Sequence, residues 1–95
     1  MTTKKIKIGK KYISIISLKL GSENLIVLSG SRGYVMCGYL NLNVAEKFND
    51  LAIKITGVSS IQEALKAKVV GLTSAARKNG IFKGQVIKDV LKIIV

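Results

Sequence analysis

Between Ile6 and Leu20 the apolar residues keep a period of two, and that rhythm changes phase once without stopping. Ile6 and Ile8 alternate with Lys5 and Lys7. Ile13 and Ile15 then face one side of the next run, while Ile16, Leu18 and Leu20 continue on the other. Successive side chains of a strand point to opposite faces, so the pattern is β. The slip predicts either a β-bulge or a strand buried on both faces. Gly21-Ser22 is a turn, and Leu25-Ile26-Val27-Leu28 is a continuous apolar run of the kind a central strand carries. Gly30-Ser31-Arg32-Gly33 predicts a hairpin turn into a strand from Tyr34 to Leu40.

Past residue 40 the rhythm becomes mixed. Asn43 with Glu46 three positions on predicts a capped short helix, and Leu51 to Thr56 the next strand. Ser60 and Glu63 have capping-box spacing, and Lys68 to Gly71 reads as an edge strand. Ser74 to Asn79 is helical, with Gly80 at the position of a C′ glycine and Ile81 placed for the accompanying apolar contact. After Gly84, Val86, Ile87, Val90, Leu91 and Ile94 form one helical stripe with Lys88, Asp89 and Lys92 off it. The class is α+β (or α/β): a mixed sheet built from an N-terminal meander, with short helices and a C-terminal amphipathic helix packed on one face. Residues 1–95 make a single domain. The stretch from Leu40 to Leu51 holds a short helix, near the lower limit for a parallel crossover.

Composition narrows the chemistry. One Cys and no His exclude a disulfide framework, a Cys/His zinc site and a Cys-His dyad, within one subunit or a homo-oligomer. No metal is expected, and without a Walker, Rossmann or zinc-protease pattern no cofactor is implied. A lone thiol fits a reducing compartment. The longest uncharged stretch, Gly33 to Ala45, contains Asn41 and Asn43, which argues against a membrane span. The N-terminus alternates instead of forming an apolar signal core, so a cytoplasmic location is expected.

Sixteen Lys+Arg against five Asp+Glu give a net charge of +11. Such a charge suits a phosphate backbone, and Lys4, Lys5, Lys7, Lys10 and Lys11 cluster. The remaining lysines are scattered, and a Lys/Ile-rich, Pro-free composition is also what thermophile proteins show. Solvated surface is therefore favoured, with nucleic acid as the second partner class. An RNP1-type match around Arg32-Gly33-Tyr34 lacks the helix that an RRM requires. With 48% hydrophobic residues on so small a domain, some aliphatics should lie in an interface, so the chain is expected to form a homo-oligomer.

The least generic segment is Gly33-Tyr34-Val35-Met36-Cys37-Gly38-Tyr39-Leu40-Asn41. With Val44-Ala45-Glu46 after it, Gly57-Val58 beyond and Gly80-Ile81-Phe82-Lys83-Gly84 near the end, it resembles the YunC-like family of small uncharacterised domains. The likeness spans roughly residues 25–91. It departs from the family at Gln62-Glu63, where acidic residues are usual, and at Gln85, where a Met is usual. A family without an assigned reaction implies a fold more than a function.

Cys37 as a nucleophile would need a base or a cation to raise its thiolate fraction; otherwise it is a small buried hydrophobe. Gly38 inside a strand marks a bulge or a close approach by backbone or ligand. At period two, Cys37, Tyr39 and Asn41 share a face, giving either a polar floor for a small ligand or a hydrogen-bonded structural trio. The acidic residues serve better as caps and surface pairs than as a carboxylate pair. Gly57-Val58-Ser59-Ser60 makes an anion nest or ordinary capping. The expected site is Arg32, Cys37, Gly38, Tyr39 and Asn41, binding an unidentified small molecule, with or without catalysis.

Overall fold

The strands Thr2–Ile8 (β1), Lys11–Leu20 (β2), Glu23–Ser29 (β3), Tyr34–Cys37 (β4), Ala52–Ile55 (β5) and Gly71–Leu72 (β6) form one sheet in chain order. They belong to a computed structural model that describes residues 2–37 and 41–95. The first four strands are an antiparallel meander, β5 runs parallel to β4, and β6 returns antiparallel. Four short helices, Leu42–Lys47 (α1), Ile61–Lys66 (α2), Ser74–Lys78 (α3) and Ile87–Ile94 (α4), complete the described residues. This is the mixed-sheet α+β class that the sequence predicts.

The phase slip has a definite outcome. β2 pairs without a break with β1, from Ile8↔Lys11 to Thr2↔Ser17, and with β3, from Ser14↔Ser29 to Leu20↔Glu23. No bulge interrupts it, so the strand carries apolar residues on both faces. Ile13 and Ile15 join Ile26, Leu28, Val35, Cys37, Ile53 and Ile55 in the main core, against Ala64 of α2 and Ile87, Val90, Leu91 and Ile94 of α4. α4 has no side-chain N-cap, yet it buries four large aliphatics worth about 1.5–3 kcal/mol each, enough to hold two turns that would be marginal alone.

The second face carries Ile16, Leu18, Leu25, Val27 and Met36, all half-buried. α1 lies over this face, opposite α2 and α4, so the helices do not all pack on one face as the sequence predicts: the parallel crossover takes α1 to the other side. The side chain of Leu42 occupies the space beside Gly71, where a Cβ would lie 2.6 Å from its Cδ1 and 3.6 Å from Cβ of Lys54, a residue opposite in phase to core Ile53 and Ile55. Ala45 and Ala52 are buried there, outside the main core. α1 is thus the crossover of a β4-α1-β5 unit.

The ends of the helices follow local chemistry. Gly80 has φ +90°, its N–H donates to Arg77 O, and Ile81 N–H donates to Ala76 O, the two bonds of a Schellman cap. Ile81 is fully buried. Ser60 caps α2, its Oγ accepting from Glu63 N–H at 3.1 Å. For α1 the cap is Asn41 and not Asn43, which lies inside the first turn. The expected strand from Lys68 to Gly71 is reduced to a bridge between Lys68 and Val86 followed by β6. Among the described residues no helix is long and apolar enough to cross a membrane.

Candidate functional site

The direction of Cys37 is set by the phase of β4. Val35 and Cys37 are buried, while Tyr34 and Met36 point to the second face. The β3–β4 ladder ends at Val27↔Met36, and one step further the thiol substitutes for backbone. Ile26 N–H donates to Cys37 Sγ at 3.2 Å, and the thiol donates to Asn24 O at 3.3 Å. With 4% exposure and both of its hydrogen-bonding functions in use, the sulfur faces the core and not the hollow that the sequence suggested.

The other predicted residues divide. Asn41 is exposed, but its Oδ1 accepts from Asn43 N–H at 3.0 Å and Val44 N–H at 3.3 Å, fixing the start of α1. Arg32 lies in the β3–β4 turn, donating to Asn79 Oδ1 at 3.0 Å from its guanidinium and to Ile94 O at 2.9 Å from its backbone. At about 3.3 Å per residue, the length of β4, roughly 10 Å, separates its turn from Cys37. Gly38 and Tyr39 lie outside the described residues. Cys37 and Asn41 therefore flank the carboxyl end of β4, and Arg32 belongs to its amino end.

Because β4 and β5 are parallel, Cys37 and Ile55 end side by side. Just beyond Ile55 opens a cavity of about 420 Å³ whose lining includes Thr56, Gly57, Val58, Glu63, Lys66 and Lys68. Gly57 takes φ +70°, a left-handed turn that glycine makes without strain. Asn24 Nδ2 donates to Ser59 O at 3.3 Å, tying the start of β3 to this loop. Glu63 Oε1 accepts from Ser59 Oγ at 2.6 Å and from Ser59 N–H at 3.3 Å. Hydrogen bonds from the Ser59 side chain, then from its backbone, hold the Glu63 carboxyl below the usual carboxylate value. Lys66 and Lys68 against the one carboxylate of Glu63 leave the lining net positive. The scatter of the lysines along the sequence gave no hint of this pairing.

A second cavity, of about 380 Å³, lies between α1 and α3 and is lined by Glu46, Leu72, Thr73, Ser74, Arg77 and Lys78. Ser74 N–H donates to Glu46 Oε2 at 2.9 Å. Hydrogen bonding from Ser74, side chain first and then backbone, lowers the Glu46 pKa, with a further contribution from Lys78. Tyr34 donates to Asp50 Oδ2 at 3.0 Å, and burial, then that bond and the carboxylate charge push the phenol up. Both contacts pin α1 and its following loop to neighbours, a structural use of these groups.

Comparison with known proteins agrees with this fold. Residues 36–94 match the model of a domain of unknown function, DUF1805. The chain is 30% identical over 83 residues to the uncharacterized protein YunC of Bacillus subtilis, covering 83% of this chain and 82% of that one. It is also similar to the crystal structure of a protein of unknown function, TA1206, from Thermoplasma acidophilum. There the TM-score is 0.95 at 36% identity, over 99% of this chain and 92% of the other.

Proposed function

The chain belongs to the DUF1805 family of domains of unknown function, and from that premise we propose that it is an oligomeric small-ligand-binding domain. Its site is at the carboxyl ends of β4 and β5, around Cys37, Gly38, Tyr39 and Asn41. One observation carries this proposal: β5, the parallel partner of β4, runs at its carboxyl end into a cavity of about 420 Å³. Ligands of open α/β sheets bind outside the carboxyl ends of parallel strands, and the volume lies in the range of small-molecule sites. Lys66 and Lys68 select an anionic molecule. Cys37 joins β3 to β4 and Asn41 fixes the start of α1, while the cavity lining itself comes from residues 56–70. Gly38 and Tyr39 enter through their place in the chain between these two.

A thermal-shift screen of anionic metabolites tests it. A ligand at ten times its Kd raises Tm by roughly 5–10 °C in a domain this size. The shift should vanish in Lys66→Glu and Lys68→Glu, both exposed positions whose replacement leaves the core intact. A library in which no compound shifts Tm overturns the proposal.

The alternative, nucleic-acid binding, draws on Lys4, Lys5 and Lys7 lying together on edge strand β1. Lysines also protect a sheet edge from pairing with other chains, which accounts for them without a ligand. DNA or RNA binding that falls steeply with salt would favour this alternative, and no binding at low salt would eliminate it.

A further inference from the structure

Among the described residues, the second face of the sheet is covered on one half and open on the other. α1 covers the β5–β6 half, whereas Ile16, Leu18, Leu25, Val27 and Met36 form an uncharged apolar floor across β2, β3 and β4. Val27 sits between Ile16 and Met36 in register, and Leu25 opposes Leu18. α1 forms the wall beside this floor. Its residues turn by about 100° each, so with Ala45 buried and Glu46 reaching Ser74 beyond β6, the flank with Val44 and Phe48 faces the open half. Val44 is 46% and Phe48 72% exposed, an apolar helix flank left uncovered.

Resting on the oligomeric part of the proposed function, we infer that this step in the surface is the contact with a second copy of the chain, each copy placing its α1 in the open half of the other's face. Shape argues for this occupant. At about 4.8 Å between strands and about 3.3 Å per residue, the open half is roughly 15 by 20 Å, room for one helix about 10 Å across. An isologous dimer supplies one such helix to each half-face, so two α1 helices lie side by side between the two sheets. Val44 and Phe48 of each then meet across the axis.

Charge fixes the direction of the axis. The edge beside the floor carries Lys5 and Lys7, in register with Tyr12 and Ser14 of the same face. On the α1–β5 side Glu46 and Asp50 balance Lys47 and Lys54, but Asp50 lies at the amino end of β5, level with Lys5 and Lys7 in register, and Lys54 lies further along the strand. A two-fold axis along β3 lays β1 of one copy over the α1–β5 side of the other, bringing the lysine edge to Asp50. An axis across the strands would set β1 on β1 and helix on helix, stacking like charges and leaving both open halves empty.

Sedimentation equilibrium over a concentration series tests the inference. The wild type should reach twice the chain mass, and Phe48→Glu should weaken association roughly 30-fold or more. Phe48 is exposed in the single chain, so this variant keeps its fold, and Val44→Glu gives an independent repeat. Phe82→Glu, an exposed aromatic on the loop before α4, should leave association unchanged. The double variant Lys5→Glu, Lys7→Glu should also weaken it; equal or tighter association would overturn the axis along β3. A wild type that stays monomeric removes the oligomeric reading itself. A dimer indifferent to Phe48→Glu and Val44→Glu leaves oligomerisation standing and overturns this surface.

Discussion

The Thr73 hydroxyl donates to the Asp50 carbonyl at 2.6 Å, joining the start of β5 to the start of α3 across 23 positions of sequence. The same oxygen accepts from Ala52 N–H at 3.1 Å and Ala76 N–H at 3.4 Å, and Thr73 is 2% exposed. Thr73→Val keeps the shape and strands a carbonyl and two N–H groups. Each unsatisfied buried group costs about 1–3 kcal/mol, and the strained third bond lies at the weak end, so a loss of about 2–4 kcal/mol is expected. Thr73→Ser keeps the oxygen and should cost about 1 kcal/mol for the methyl. Urea midpoints check both. Equal effects of the two substitutions would show that packing, and not the hydroxyl, matters here.

Two glycines should respond differently to alanine. At Gly30 a Cβ would run into the backbone carbonyl of Ile94 and lie 2.8 Å from Cα of Val95. That carbonyl already accepts from Arg32 N–H and Gly33 N–H, so the end of α4 cannot move away without breaking the turn's bonds. Gly30→Ala is expected to cost more than about 2 kcal/mol through overpacking. Around Gly80 there is open space but φ is +90°, so Gly80→Ala should cost about 1 kcal/mol of backbone strain. Denaturation of the two variants side by side checks the order, and a reversed order would mean that the Gly30 turn relaxes.

What could be read from the residues alone was what local chemistry decides. The α4 stripe, the Gly80 cap and the Ser60–Glu63 cap each lie within a few positions of one another, and each stands as expected. The sequence puts the cap of α1 two residues late because Asn41 and Asn43 are equally good capping side chains, and the crossover's entry point decides between them. The direction of Cys37 has a local signal: it shares a phase with Val35, whose apolar side chain belongs in a core. Thr73 has none, because its partner Asp50 lies 23 positions away, and the cavity draws its lining from residues 56–70, where the scattered lysines form no pattern.

Acid should weaken the fold partly through Glu63. Its pKa is lowered by the Ser59 side chain and backbone, so its stabilising contribution is complete above the unfolded carboxylate value near 4.5. As pH falls below that, the unfolded chain takes up the proton first, and the contribution drains away until the folded carboxyl is also protonated. Urea midpoints measured from pH 7 to pH 3 should decline in the wild type, and less steeply in Glu63→Gln, which has no proton to bind. Parallel declines would remove Glu63 from the acid response.

The burial of Cys37 predicts its reactivity. A thiol-disulfide reagent must reach the sulfur, which is 4% exposed and hydrogen-bonded to Ile26 N–H and Asn24 O. Labelling then requires local opening of the end of β4, and its rate should fall at least roughly 100-fold below that of the urea-unfolded chain, an opening cost of about 3 kcal/mol or more. Cys37 is the sole cysteine, so a coloured thiolate-releasing reagent reads this site alone. Cys37→Val should destabilise the domain by about 1–3 kcal/mol, since it strands the Ile26 N–H, whereas Cys37→Ser retains a partner for it. A folded protein that labels within a few-fold of the unfolded rate would show the sulfur at the surface, and Cys37 would then be a group a ligand can touch instead of one that holds β3 against β4.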